Sequence, residues 1–179
     1  MKISLKLISL IFILTSCDKD KYIKTYSLPK LQVVEETSFD EKKDETLFSW
    51  EVPENWLEKE PSSMRLASFD IPYGNSMADI SITNFSGDGG GLLANVNRWR
   101  RQLELDPISI EEINNSILNG SSELGEFKYI KIINNSKQSS AFLCSILEIK
   151  NSTVFVKLNA SVDGIRQLEK EFLLFCSSF

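Results

Sequence analysis

The residues best suited to chemistry lie in a glycine-rich turn, Gly87-Asp88-Gly89-Gly90-Gly91, which we call the glycine corner. Glycines that open a helix expose backbone N–H groups and the positive end of the helix dipole, and both attract anions. The corner is therefore either an anion pocket, with Asp88, Gly89 and Gly90 on the ligand and Asp88 as an acid or cation ligand, or a turn that glycine permits. We favour the turn, because no phosphate-loop signature is present.

The most basic short run of the chain follows the corner and includes Asn97, Arg98, Arg100 and Arg101. Apolar residues recur here with the helical period. They are Leu92, Val96, Trp99 and Leu103. Asn97, Arg98 and Arg101 lie off this stripe, and together with the corner they form the candidate binding surface. Its partner is expected to be an unknown envelope protein or an anionic ligand. The alternative is a solvated face of ion-paired arginines.

The composition limits the catalytic chemistry that is available. The chain has no histidine, which excludes Ser-His-Asp and Cys-His catalysis and histidine-ligated zinc. Three cysteines are too few for an all-cysteine zinc site. The formal net charge of -5 does not indicate nucleic-acid binding. We therefore assign no catalytic residue, no metal site, no cofactor and no nucleic-acid partner.

Two cysteines, Cys144 and Cys176, lie in apolar segments of the chain. Apolar surroundings are typical of buried free thiols. An oxidising compartment would also permit a disulfide between them, provided that their Cα atoms come close enough. The sequence leaves both alternatives open, with free thiols favoured.

The N-terminal segment has the pattern of a secretory signal peptide. Lys2 and Lys6 give it positive charge, and residues 7–14 are apolar apart from Ser9. That apolar run is too short to cross a bilayer as a helix, which needs about 20 residues. Residues 1–16 are therefore predicted to be a signal peptide that is removed from the mature protein.

The end of this segment, Leu14-Thr15-Ser16-Cys17, resembles the lipobox of bacterial lipoproteins. The resemblance implies that Cys17 carries the lipid and anchors the chain to a membrane of the cell envelope, whether inner, outer or surface. Acyl chains contribute about 0.8 kcal/mol of binding free energy per buried methylene. The polar, charge-rich residues 17–46 are interpreted as a tether, and residues 47–179 as one domain.

The elements of this domain follow from periodicity and turn signals. The predicted strands span residues 48–52, 64–71, 78–83, 125–133, 141–149 and 153–158. The predicted helices span residues 92–103, 109–118 and 162–175. Runs of strands separated by helices favour an α+β fold with an antiparallel sheet flanked by helices.

Several stretches of the domain together resemble one family of bacterial lipoproteins. They are a W-x-x-P-x-x-W opening at residues 50–56, the strand Met64-Arg65-Leu66-Ala67-Ser68-Phe69, and the run from Gly87 to Gln102. The resemblance covers about residues 47 to 179. It implies a fold similar to PsbP, the extrinsic photosystem protein, and to a yeast nuclear-import factor that binds Ran. That α/β/α sandwich hosts binding and assembly proteins, and it brings no functional residues to this chain.

These observations favour a non-enzymatic, membrane-tethered module that binds or assembles other components of the cell envelope. The rival hypothesis is a small-ligand or anion-binding protein, or an enzyme, that uses the glycine corner as its pocket. The two hypotheses differ in geometry, since a pocket requires convergent polar groups in a concave site.

Overall fold

The computed structural model describes residues 48–60, 62 and 64–179, which belong to one compact unit, Asp44–Phe179. The predicted signal peptide, Cys17 and most of the tether lie outside the described residues. The strands are β1 (Leu57–Lys59), β2 (Ala67–Tyr73), β3 (Ser76–Ser86), β4 (Leu118–Ser122), β5 (Gly125–Ile133), β6 (Ala141–Ile149) and β7 (Ser152–Ala160). The helices are α1 (Leu92–Gln102), α2 (Ile110–Ser116) and α3 (Val162–Ser177).

The strands form one antiparallel sheet in the order β1-β2-β3-β7-β6-β5-β4. Helix α3 packs on one face of the sheet, where Ile165, Leu168 and Phe172 join strand residues in a large apolar layer. Helices α1 and α2 pack on the other face, where Trp99 and Ile113 join a second layer. The predicted class, an antiparallel sheet flanked by helices, is confirmed.

Central position in the sheet explains why β6 is almost continuously apolar. Helices cover both of its faces, and residues 141–147 are all buried. A strand that is covered on both faces has no solvent side and therefore loses the alternation of apolar and polar residues. Strands β6 and β7 thus lie inside the sheet, and its two edges are the short strands β1 and β4.

The prediction for residues 48–52 is wrong, because these residues form no strand. Phe48 and Trp50 instead pack with Phe179, the last residue of the chain, with the Trp50 and Phe179 rings stacked 5.4 Å apart. The alternation of aromatic and polar residues reflects this aromatic cluster rather than a ladder of strand hydrogen bonds. Among the described residues the first strand is β1, which follows the turn closed by Trp56.

The prediction for residues 109–118 is correct at its start and wrong at its end. Ser109 and Glu112 form a reciprocal capping box at the start of α2. The helix ends at Ser116, and strand β4 begins at Leu118, so Asn119-Gly120, a pair typical of a helix end, lies inside a strand. Gly120 pairs with Phe127 across the β4–β5 ladder, and the Phe127 ring fills the space that a Cβ atom would occupy.

No helix among the described residues is long and apolar enough to cross a membrane.

Candidate functional site

The glycine corner is held by hydrogen bonds within the turn. Asp88 accepts a hydrogen bond at Oδ1 from the Gly90 N–H, at 2.9 Å, and its carbonyl accepts one from Gly91. Gly89 has φ 60°, a left-handed conformation, and a Cβ atom built there would lie 2.5 Å from the Phe155 ring. The backbone conformation and the close packing both require glycine. The side chain of Asp88 is thus engaged inside the turn and makes no helix cap.

A buried asparagine that the sequence analysis did not single out fixes the corner to α1. Asn95 Nδ2 donates to the carbonyls of Gly89 and Gly91, at 3.0 and 2.8 Å, and its Oδ1 accepts from Arg98. The side chain is nearly inaccessible to solvent. The sequence does contain a signal for this role, because Asn95 is an asparagine one turn inside a helix that follows a glycine run, beside the apolar stripe.

The predicted surface residues on α1 differ in their contacts. Asn97 bonds the backbone of Ile108 through both ends of its amide, at 2.9 and 3.0 Å, and so ties α1 to the segment before α2. Arg101 is exposed on this same flank, where it lines an open groove of about 520 Å³ with Leu93 and Ile110. Arg98 is a neighbour of Arg101 on the helix, three residues before it, but it does not line this groove and instead donates to Asn95.

The other flank of α1 faces strand β7. Arg98 and Gln102 are four residues apart on the helix and thus neighbours on one side of it. Gln102 Oε1 accepts a hydrogen bond from Lys157 Nζ at 2.8 Å. Arg98 is exposed and close enough to Lys157 to disfavour the lysine's positive charge. This flank borders a part of the sheet that the sequence analysis did not predict to be functional.

Residues in register across an antiparallel sheet share a face, and the register defines this region. One row runs Lys59–Ser68–Ser81–Lys157 and the next runs Leu57–Asp70–Asp79–Asn159. Both rows continue into β6 and β5 as Cys144–Ile130 and Phe142–Ile132, which lie in the apolar layer beneath α1 and α2. The helices thus cover one half of this face.

No residue of β1 or β2 belongs to that layer within the described part of the chain. We call the uncovered part the open half-sheet. It consists of Leu57, Lys59, Ser68, Asp70, Pro72, Met77, Asp79, Ser81 and Asn159, with Lys157 at its boundary beside α1. Ser68 and Ser81 are themselves buried, so a partner can reach the partly exposed charged side chains of this face and the residues at its edge.

Ion pairs occupy the centre of the open half-sheet. Lys59 Nζ lies 2.8 Å from Asp70 and 3.1 Å from Asp79. Arg65, in the loop before β2, extends over the same face, with Nη1 3.1 Å from the Ser68 hydroxyl and 3.3 Å from Asp79. The two carboxylates accept these hydrogen bonds and raise the pKa of Lys59.

Lys157 has a different environment from the other cations of this face. Burial beside α1 lowers its pKa below the usual lysine value. Its Nζ lies 4.2 Å from the centre of the Phe142 ring, within the range of a cation–π contact. Lys157 is therefore a partly desolvated amine held in place by Gln102 and Phe142.

The charge balance of this region is opposite to that of the chain. Lys59 and Arg65 contact the two carboxylates, and Lys157 and Arg98 add two cations at the boundary, so positive charge is in excess among these six groups. The whole chain has a formal net charge of -5. The cations of the open half-sheet and of the adjacent flank of α1 can therefore attract anionic groups, although the net charge of the chain is negative.

The two cysteines of the domain are free and buried, so the disulfide that the sequence left open is not formed in the structure. Cys144 belongs to the layer beneath α1 and α2, and Cys176 to the layer beneath α3. The sheet separates the two side chains. Burial raises the pKa of both thiols, that of Cys176 to about 12. Within the described residues, no group of three acidic or cysteine side chains could hold a metal ion.

No family model and no curated protein matches the chain. Among solved structures, it is similar to the solution structure of cyanobacterial PsbP (CyanoP) from Synechocystis sp. PCC 6803, with 10% sequence identity and a TM-score of 0.47. The match covers 72% of this chain and 83% of that chain.

Proposed function

We propose that the protein is a non-enzymatic binding module whose contact face is the open half-sheet together with the Arg98 flank of α1. The observation that carries this proposal is the uneven cover of one sheet face. Helices α1 and α2 pack on the half that contains β5 and β6, and the half that contains β1, β2 and β3 has a charged, accessible surface instead.

The composition of the open half-sheet supports a contact role. Leu57 and Met77 are about half exposed at its edge, and Pro72 is exposed between them. Interfaces between proteins are enriched in methionine and arginine, and they combine apolar contacts with hydrogen-bonded charges. A strand framework also presents these groups with little freedom to rearrange, which reduces the entropy lost on binding.

The membrane tether is part of the same proposal and depends on Cys17, outside the described residues. A lipid on Cys17 would keep the domain at a membrane surface, where its partner is found at high local concentration. Substituting Cys17→Ser should abolish incorporation of a labelled fatty acid and release the protein from the membrane fraction. Continued fatty-acid labelling of the Cys17→Ser chain would contradict the assignment.

Two exposed arginines of α1 with different surroundings provide a matched test of the contact face. Arg98→Glu reverses the charge beside the open half-sheet, and Arg101→Glu makes the same change on the flank that faces α2. Each variant is used to recover partners from solubilised membranes, with circular dichroism as the control for folding. We expect Arg98→Glu to lose a partner that Arg101→Glu retains. The reverse result would place the contact face at the Arg101 groove.

A further inference from the structure

We infer that the open half-sheet binds a carboxylate-rich segment of a partner protein, and that Asp79 is the internal counter-ion which that segment displaces. This inference rests on the proposed function and adds the chemistry of the partner. Asp79 is the carboxylate shared by the two cations, since Lys59 and Arg65 both bond it. A site that already holds one carboxylate between two cations has the geometry to accept another.

The guanidinium of Arg65 has donors available for such a ligand. Its hydrogen bonds to Ser68 and Asp79, within the described residues, all use Nη1. An arginine fork binds a carboxylate best through two parallel N–H groups, and Nε with Nη2 supplies such a pair. The side chain is about one third exposed, so an incoming group can reach it.

A second cationic position lies across the sheet from Arg65. Lys157 on β7 lies close enough to Arg98 on α1 and to Arg65 for both arginines to help lower its pKa. Among the described residues, Arg65 is the only one of these three cations in an ion pair, and its partner Asp79 is shared with Lys59. A ligand with more than one carboxylate is therefore better matched than a single free anion.

The edge of the site favours a protein segment over a phosphate or a sulfated polysaccharide. Leu57 and Met77 are exposed beside the charged centre and would contact apolar side chains. Acidic protein segments present carboxylates and apolar groups together, whereas an inorganic anion leaves these apolar residues in water. The excess charge on this face is positive, whereas the net charge of the chain is negative, and a positive face favours an acidic partner.

The test uses a short, capped, fluorescent peptide of alternating Glu, Gly and Leu residues, and the same peptide with Gln in place of Glu. Binding to the full-length chain in detergent is measured by fluorescence anisotropy at low and high salt. Asp79→Asn removes the competing carboxylate and should tighten binding of the Glu peptide by about two- to fivefold, the range of an exposed ion pair. Arg65→Gln should weaken it by a similar factor. High salt should reduce both effects.

The matched controls are Asp163→Asn and Arg166→Gln, an exposed ion pair on α3 at the other face of the sheet. Neither should change the affinity for the peptide. Thermal unfolding of each variant shows whether it is folded. If Arg65→Gln does not fold, Asp79→Asn still tests the inference, because its expected effect is a gain of affinity that unfolding cannot produce.

Several results would overturn the inference. The first is an affinity for the Glu peptide that Asp79→Asn leaves unchanged or lowers. The second is equal affinity for the Gln and Glu peptides. The third is displacement of the Glu peptide by dextran sulfate whose binding depends on Asp79 in the same way. Self-association of the chain that Met77→Glu abolishes would assign the face to a second copy. One combination of results separates this inference from the proposed function. If a partner is lost in Arg98→Glu but binding of the Glu peptide does not depend on Asp79, the proposed function stands and only the carboxylate chemistry is contradicted.

Discussion

The Nη1 atom of Arg65 lies 3.3 and 3.4 Å from the two carboxylate oxygens of Asp79. Arg65 is in the loop before β2, and Asp79 is on β3, directly across the ladder from Asp70. The contact brings a loop cation onto the sheet surface and leaves part of its guanidinium exposed. It is the centre of the open half-sheet, on which the proposed contact face rests.

The first prediction concerns Asn95, which we expect to be essential for the corner. Asn95→Ala removes both hydrogen bonds to the carbonyls of Gly89 and Gly91. Leaving buried polar groups unpaired costs about 1–3 kcal/mol, and the free energy of unfolding measured in urea should fall by this amount. Asp88→Ala, in the exposed part of the same turn, should change it by less than about 0.5 kcal/mol. Equal effects would show that Asn95 has no special role.

The second prediction separates backbone strain from packing at the corner. Gly87 and Gly89 both have positive φ, near 65° and 60°, but only at Gly89 would a Cβ atom meet the Phe155 ring. Gly87→Ala should destabilise the fold by roughly 1 kcal/mol through strain alone. Gly89→Ala should destabilise it further, by a total of about 2–4 kcal/mol. Equal losses of stability in the two variants would contradict the close contact.

The third prediction is a pH dependence that originates from Lys157. Its pKa is lowered in the folded protein, so the unfolded chain binds the proton more tightly. The stability of the wild-type protein should therefore rise with pH between the lowered pKa and 10.5, the ordinary lysine value. In Lys157→Met this contribution is absent. The free energy of unfolding of the variant minus that of the wild type should therefore fall as the pH rises through this range, and a rise would contradict the burial of the amine.

Lys59 provides the control for this pH dependence, because its pKa is raised. Its contribution to stability is fully present below 10.5 and is lost only as the pH rises through the higher folded value. The Lys59 and Lys157 effects therefore fall on opposite sides of 10.5, and Lys59→Met should leave the slope below that pH unchanged.

The fourth prediction concerns the thiols. Because burial raises the pKa of Cys144 and Cys176, neither should react with a chromogenic disulfide reagent in the folded Cys17→Ser chain. Both should react once the chain is unfolded. Rapid labelling before unfolding, or a shift on a non-reducing gel after oxidation, would contradict the placement of these side chains on opposite faces of the sheet.

The sequence was sufficient for most elements, because their periodic patterns are local. Strands β5 and β6 and helices α1 and α3 were predicted close to their observed positions. Strand β4 was missed because Asn119-Gly120 is typical of a helix end, and only the non-local contact with the Phe127 ring explains a glycine inside that strand. The aromatic residues at 48 and 50 were misread for a similar reason, since Phe179 is their distant partner.

The open half-sheet was beyond prediction from local patterns. Its cations come from β1, the loop before β2, α1 and β7, and they meet only because β3 pairs with β7. The glycine corner was predicted to be a candidate site because its residues are adjacent in sequence. Its geometry is explained by the Phe155 ring and by Asn95, and whether Asp88, Gly89, Gly90, Asn97 and Arg101 also contact a partner stays a prediction.

Site-specific photocrosslinking in intact cells tests the contact face most directly. A photoreactive residue is placed at Met77, on the open half-sheet, or at Leu174, which is at least as exposed but lies on α3 at the other face. We expect one discrete crosslinked product from Met77, reduced by Arg98→Glu, and none from Leu174. A product from Leu174 with none from Met77 would contradict the account.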